Sequence, residues 1–147
     1  MAEPKTKVND ASVAKFIDAV PDAERRADCR TIVEIMEGAT KAKAKMWGTG
    51  IVGFGEHRSI NASGKEATWM LIGFAPRRQN IALYVGLGSG KFDGLLAALG
   101  KHERGKGCLY IARLADVHLP TLKQLVRESA QEKMKTSLPA KGKQPGS

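Results

Sequence analysis

Apolar residues alternate with polar ones, or run in short blocks, through the middle of the chain, and recur at helical spacing towards both ends. Between Trp69 and Val85, two runs rich in aromatic and β-branched residues flank the turn-forming stretch Ala75-Pro76-Arg77-Arg78-Gln79-Asn80. That pattern predicts a hairpin at the centre of an antiparallel sheet. Within its second arm, Ile81, Leu83 and Val85 face the core if Tyr84 faces away.

Thr40 to Trp47 alternates strictly. As a strand it sets Lys41, Lys43, Lys45 and Trp47 on one face and Ala42, Ala44 and Met46 on the other. Ile51 to Gly55 reads as a second strand, Glu66 to Ala75 as a third, Asn80 to Val85 as a fourth and Cys108 to Arg113 as a fifth. Upstream, Asn9 or Asp10 can cap a helix reaching Val20, with Val13, Phe16, Ile17 and Val20 in register. Pro21 stops it. A second helix is expected from Asp22 to Glu37, striped by Cys29, Ile32, Val33 and Met36 and ended by Gly38. A short helix around 91–99 follows, and Pro120 opens the last one, with Leu122, Leu125 and Val126 buried.

Helices, then antiparallel strands, then helices predict a two-layer α+β domain: about five strands packed against N-terminal and C-terminal helices. The domain is expected over 10–135, between a disordered tail at 1–9 and a disordered basic tail at 136–147.

At 147 residues one domain is expected, and no apolar run approaches the ~20 residues of a membrane span. No apolar segment follows the charges of the first seven residues, so a cytoplasmic address without a secretory signal is expected. Cys29 and Cys108 are then reduced thiols, and the lack of a Cys-x-x-Cys pair speaks against structural zinc. The net charge is +9, but the termini hold six of the 24 basic and one of the 15 acidic residues. That leaves 18 and 14, a net of +4, between Asp10 and Glu132. Such a body favours anionic partners without making a specific nucleic-acid binder.

Gly86-Leu-Gly-Ser-Gly-Lys91 resembles a phosphate-binding loop only superficially. Val85 stands where the first glycine is needed and Phe92 where Ser or Thr would hold magnesium. His57, His102 and His118 are scattered, and no serine sits in a Gly-x-Ser-x-Gly elbow. No enzyme signature is present. Cations and glycines concentrate in Gly100-Lys-His-Glu-Arg-Gly-Lys-Gly107, where amides and side chains can converge on an anion.

Four ordered blocks carry a family resemblance: 46–55, 73–84, 99–111 and 114–126. They begin Met46-Trp-Gly-Thr-Gly, Gly73-Phe-Ala-Pro-Arg-Arg, Leu99-Gly-Lys-His-Glu-Arg and Leu114-Ala-Asp-Val-His-Leu-Pro. Together they resemble the YdhG-like domain family across Ser12 to Glu132. The resemblance implies a small bacterial cytosolic domain with a frataxin-like α+β arrangement and no settled function, a member of which has been proposed as an iron chaperone.

The leading expectation is a non-enzymatic binding domain without a cofactor. Trp47, Gly48, Arg77, Arg78, Lys101, Arg104 and Lys106 are expected to flank a site for a small anion or acidic partner. The alternative is iron held by Asp18, Asp22, Glu24 and Asp28, since hard cations prefer oxygen ligands. Arg25, Arg26 and Arg30 are interleaved with these carboxylates, and i,i+4 pairs such as Asp22–Arg26 explain them as surface salt bridges. A third reading is nonspecific nucleic-acid association through Lys41, Lys43, Lys45 and the tail lysines. No membrane partner is expected.

Overall fold

A computed structural model describes residues 8–9, 11–48, 50–60, 63–86, 91–105 and 108–137. The chain is α+β, with an antiparallel sheet backed by helices from both ends. Its strands are β1 (Val8–Asn9), β2 (Ala44–Trp47), β3 (Ile51–Phe54), β4 (His57–Ile60), β5 (Glu66–Trp69), β6 (Ile72–Pro76), β7 (Ile81–Tyr84), β8 (Glu103–Arg104) and β9 (Cys108–Ile111). The helices are α1 (Val13–Asp18), α2 (Ala23–Thr40), α3 (Asp93–Leu99) and α4 (Leu119–Thr136). Among the described residues, seven strands form the main sheet in the order β1-β2-β3-β6-β7-β9-β8, and β4 pairs with β5 separately. Its centre is β2, β3, β6, β7 and β9, each overlapping one of the five expected strands, and the two-residue strands β1 and β8 lie at its edges.

One face of the sheet and the helices enclose the core. Val52, Phe54, Ile72, Phe74, Ile81, Leu83 and Val85 meet Ile32 and Met36 of α2 and Leu122, Leu125 and Val126 of α4. Period-two alternation explains this: every second residue of β7 points at the helices, and Tyr84 points away. On the opposite face Gly53 and Gly73 are paired across β3 and β6. A Cβ on Gly53 would lie 2.4 Å from the Trp47 ring, so the glycine makes room for the indole. Trp47 meets Trp69 edge-on at 5.7 Å between ring centroids and is only 3% exposed.

Several boundaries differ from expectation. Val8 and Asn9, assigned to the N-terminal tail, pair with Trp47 and Met46. The cap of α1 is Ser12, whose Oγ accepts from Lys15 N–H at 3.1 Å, rather than Asn9 or Asp10. Helix α2 passes through Gly38 and ends at Lys41, in the left-handed region at φ 60°, because Glu37 C=O still finds the Lys41 N–H. Thr136 belongs to α4 rather than to the C-terminal tail. The remaining tail residues, 1–7 and 138–147, and loop residues 87–90 lie outside the described residues.

The expected single strand from Glu66 to Ala75 is two strands. Two residues on each side separate Phe54↔Ile72 from His57↔Trp69, so β3–β6 and β4–β5 share one register. Gly55, at φ 68°, breaks the ladder between them. The outer half docks on the end of α4, where His57 Nε2 lies 2.8 Å from Thr136 Oγ1 and Arg58 N–H donates to Ser137 Oγ at 2.9 Å.

This docking predicts a pH dependence. Desolvation first, and the Lys133 ammonium second, hold the His57 pKa below its ordinary 6.5. The unfolded chain therefore binds the proton first, so stability is full above pH 6.5 and falls as pH drops below it. Between pH 7.5 and 5.5, wild-type protein should lose more in melting temperature than His57→Gln. Equal losses in the two proteins would show that His57 does not carry the dependence.

Among the described residues, no helix is long and apolar enough to cross a membrane.

Candidate functional site

Pro76 ends β6, and the Arg77 N–H donates to Asn80 C=O at 2.7 Å, closing the loop to β7. The loop meets the corner where Pro21 separates α1 from α2. There Asp22 caps α2 by accepting from Arg25 N–H at 3.0 Å. Arg25 Nη1 in turn donates to Arg78 C=O at 2.8 Å, tying the helix start to the hairpin tip. A cleft of about 470 Å³ lies between them, lined by Phe16, Ala19, Val20, Pro21, Asp22, Arg25, Pro76, Arg77 and Arg78. Its volume falls within the range of small-molecule sites.

The charges around the cleft are sorted by their partners. Arg26 Nη1 donates to Val20 C=O at 2.6 Å, and Arg30 pairs with Asp18 at 2.5 Å. Among the described residues, Arg26 does not form the expected helical pair with Asp22. Arg77 reaches the Tyr84 hydroxyl at 2.9 Å, on the face of β7 that points away from the helices. Arg25 Nε is buried without a hydrogen-bond partner among the described residues. Arg78 is exposed, and only its carbonyl is hydrogen-bonded among the described residues.

Comparison with known proteins adds no assignment. No family model, curated protein or solved structure matches the chain.

The expected single patch is divided. Arg77 and Arg78 share the cleft with Arg25, a residue expected among surface salt bridges. Lys101 lines a second cavity of about 380 Å³ with Gln79, Asn80, His102, Glu103, Tyr110 and Ala112. The two cavities flank the same β6–β7 loop, where Asn80 Oδ1 is buried without a hydrogen-bond partner among the described residues. Trp47 belongs to neither. It borders a third hollow with Lys43, Lys45 and Glu56, but its ring is packed against Trp69 and offers no open stacking face. Gly48, at φ 69°, makes the turn after β2. Arg104 is ion-paired to Asp93 at 2.9 Å, and Lys106 lies outside the described residues.

The carboxylates considered for iron each have a structural partner. Asp18 holds Arg30, Asp22 caps α2, Glu24 is ion-paired to Arg113, and Asp28 accepts from Leu114 N–H at 3.0 Å. Among the described residues, no three His, Cys, Asp or Glu side chains gather as a metal-ligand set. The histidines are bound separately, His102 to Gly100 C=O and His118 to Thr121. Burial pushes the Cys29 thiol up to about 11, helped by Asp28, which keeps it protonated.

Proposed function

We propose that this protein is a non-enzymatic binding module for a small anion or an acidic partner, acting through the cleft beside the β6–β7 loop. The carrying observation is the Arg25–Arg78 contact, which sets two guanidinium-bearing residues at the mouth of a largely apolar cavity. Guanidinium groups present fixed, paired donors to carboxylate or phosphate, and low-dielectric walls strengthen their field. The four blocks that resemble the YdhG-like domain family support the same reading, since none contains a catalytic constellation.

A thermal-shift panel of inorganic phosphate, citrate, benzoate and hexanoate tests this reading. A ligand at a hundred times its Kd adds about 2.7 kcal/mol, a shift of several degrees for a domain of this size. At least one anion should raise the melting temperature of wild-type protein and of Lys101→Ala, but not of Arg78→Glu. No response to any anion, or a response lost in Lys101→Ala and kept in Arg78→Glu, would contradict the assignment.

A further inference from the structure

We infer that the cleft selects an amphipathic monocarboxylate, a single carboxylate on an apolar body, over compact or multiply charged anions. This rests on the anion-binding reading above and names its ligand class. Apolar walls come from α1, the segment that follows it and the end of β6, through Phe16, Val20 and Pro76, whereas charge comes from the start of α2 and the hairpin loop. Polar and apolar surfaces are thus contributed by different elements. The cavity, about 470 Å³, has room for more than a head group.

The charge balance points the same way. Arg25 and Arg78 bring two positive charges, and the Asp22 carboxylate, fixed as the cap of α2, returns one negative charge. Arg77 also lines the cleft, but its guanidinium reaches the Tyr84 hydroxyl on the other face of the sheet. One net positive charge matches one carboxylate. A phosphate dianion or citrate would bring excess charge against Asp22 and leave the apolar walls unfilled. Bidentate pairing of the carboxylate with an arginine would fix the head, and burial of the body would supply the rest of the affinity.

Calorimetric titration of the full chain with acetate, butyrate, hexanoate, hexanol and inorganic phosphate tests the inference. Each added methylene should tighten the Kd by roughly three- to four-fold. Hexanol should bind at least ten-fold more weakly than hexanoate, and phosphate more weakly than butyrate. Arg78→Glu should weaken every carboxylate, and Ala19→Phe, which fills the cleft, should remove the dependence on chain length. Carboxylates and phosphate that bind alike, lose affinity in Arg78→Glu and ignore chain length would overturn the ligand class while leaving the anion site standing. Chain-length dependence untouched by both substitutions would overturn the cleft itself.

Discussion

Phe74→Ala is expected to destabilise the fold by about 3–5 kcal/mol. Phe74 and Phe54 are both fully buried, and their rings stack with centroids 6.4 Å apart, across the pairing of β3 with β6. Removing one ring takes away its burial and leaves its partner facing a void that the sheet cannot close, since each strand is fixed by its neighbours. A fall in melting temperature of roughly 10–15 °C should follow. Chemical denaturation measures the same loss, and a change below about 1 kcal/mol would show that these rings do not form the centre of the core.

The second large effect comes from adding a single methyl group. In Gly73→Ala the new Cβ would lie 2.6 Å from Val52 O and 2.5 Å from Met70 Sδ, with Gly53 Cα at 3.1 Å. The thioether can move, but the carbonyl belongs to the adjoining strand and can yield only by stretching the ladder. A cost of about 3 kcal/mol or more is expected, at the upper end of overpacking effects. Gly38→Ala is the matched control. Nothing lies within 4 Å of that Cβ, and the position is interior to α2, so a gain of up to about 1 kcal/mol is expected. Equal effects at Gly38 and Gly73 would contradict the close approach of β3 and β6.

Most of the sheet was legible because its signal is local. Ile81, Leu83 and Val85 alternate around residues facing the other way, and the apolar stripe of α4 falls at Leu122, Leu125 and Val126. Strand β4 was not legible. His57-Arg58-Ser59-Ile60 has no apolar face, and its placement depends on Thr136 and Ser137, 79 residues away. Gly38 misled for a related reason: a glycine after an apolar stripe signals a helix end, yet the carbonyls of Met36 and Glu37 find Thr40 Oγ1 and Lys41 N–H one turn later. Alternation assigned Trp47 to the correct face. It could not reveal the space left by Gly53, nor Trp69 as the ring's neighbour.

Half of the candidate site was visible. Arg77 and Arg78 stood out as paired cations in a hairpin loop. Arg25 did not, because helical arginines among carboxylates usually form surface pairs, and its partner carbonyl is 53 residues downstream. Lys101, Arg104 and Trp47 shared the same composition signal, but the α3–β8 connection, β8 and β2 carry them to different places.

Amide chemical-shift mapping during titration with hexanoate and with inorganic phosphate tests the cleft most directly. For at least one of these anions, saturable shifts should be largest at Ala19, Val20, the first turn of α2 and Arg77 to Gln79. The amides of Lys43 to Trp47 and of Lys101 to Glu103 should stay nearly fixed. Largest shifts at either of those two segments, or no saturable shift with either anion, would contradict an anion site in this cleft.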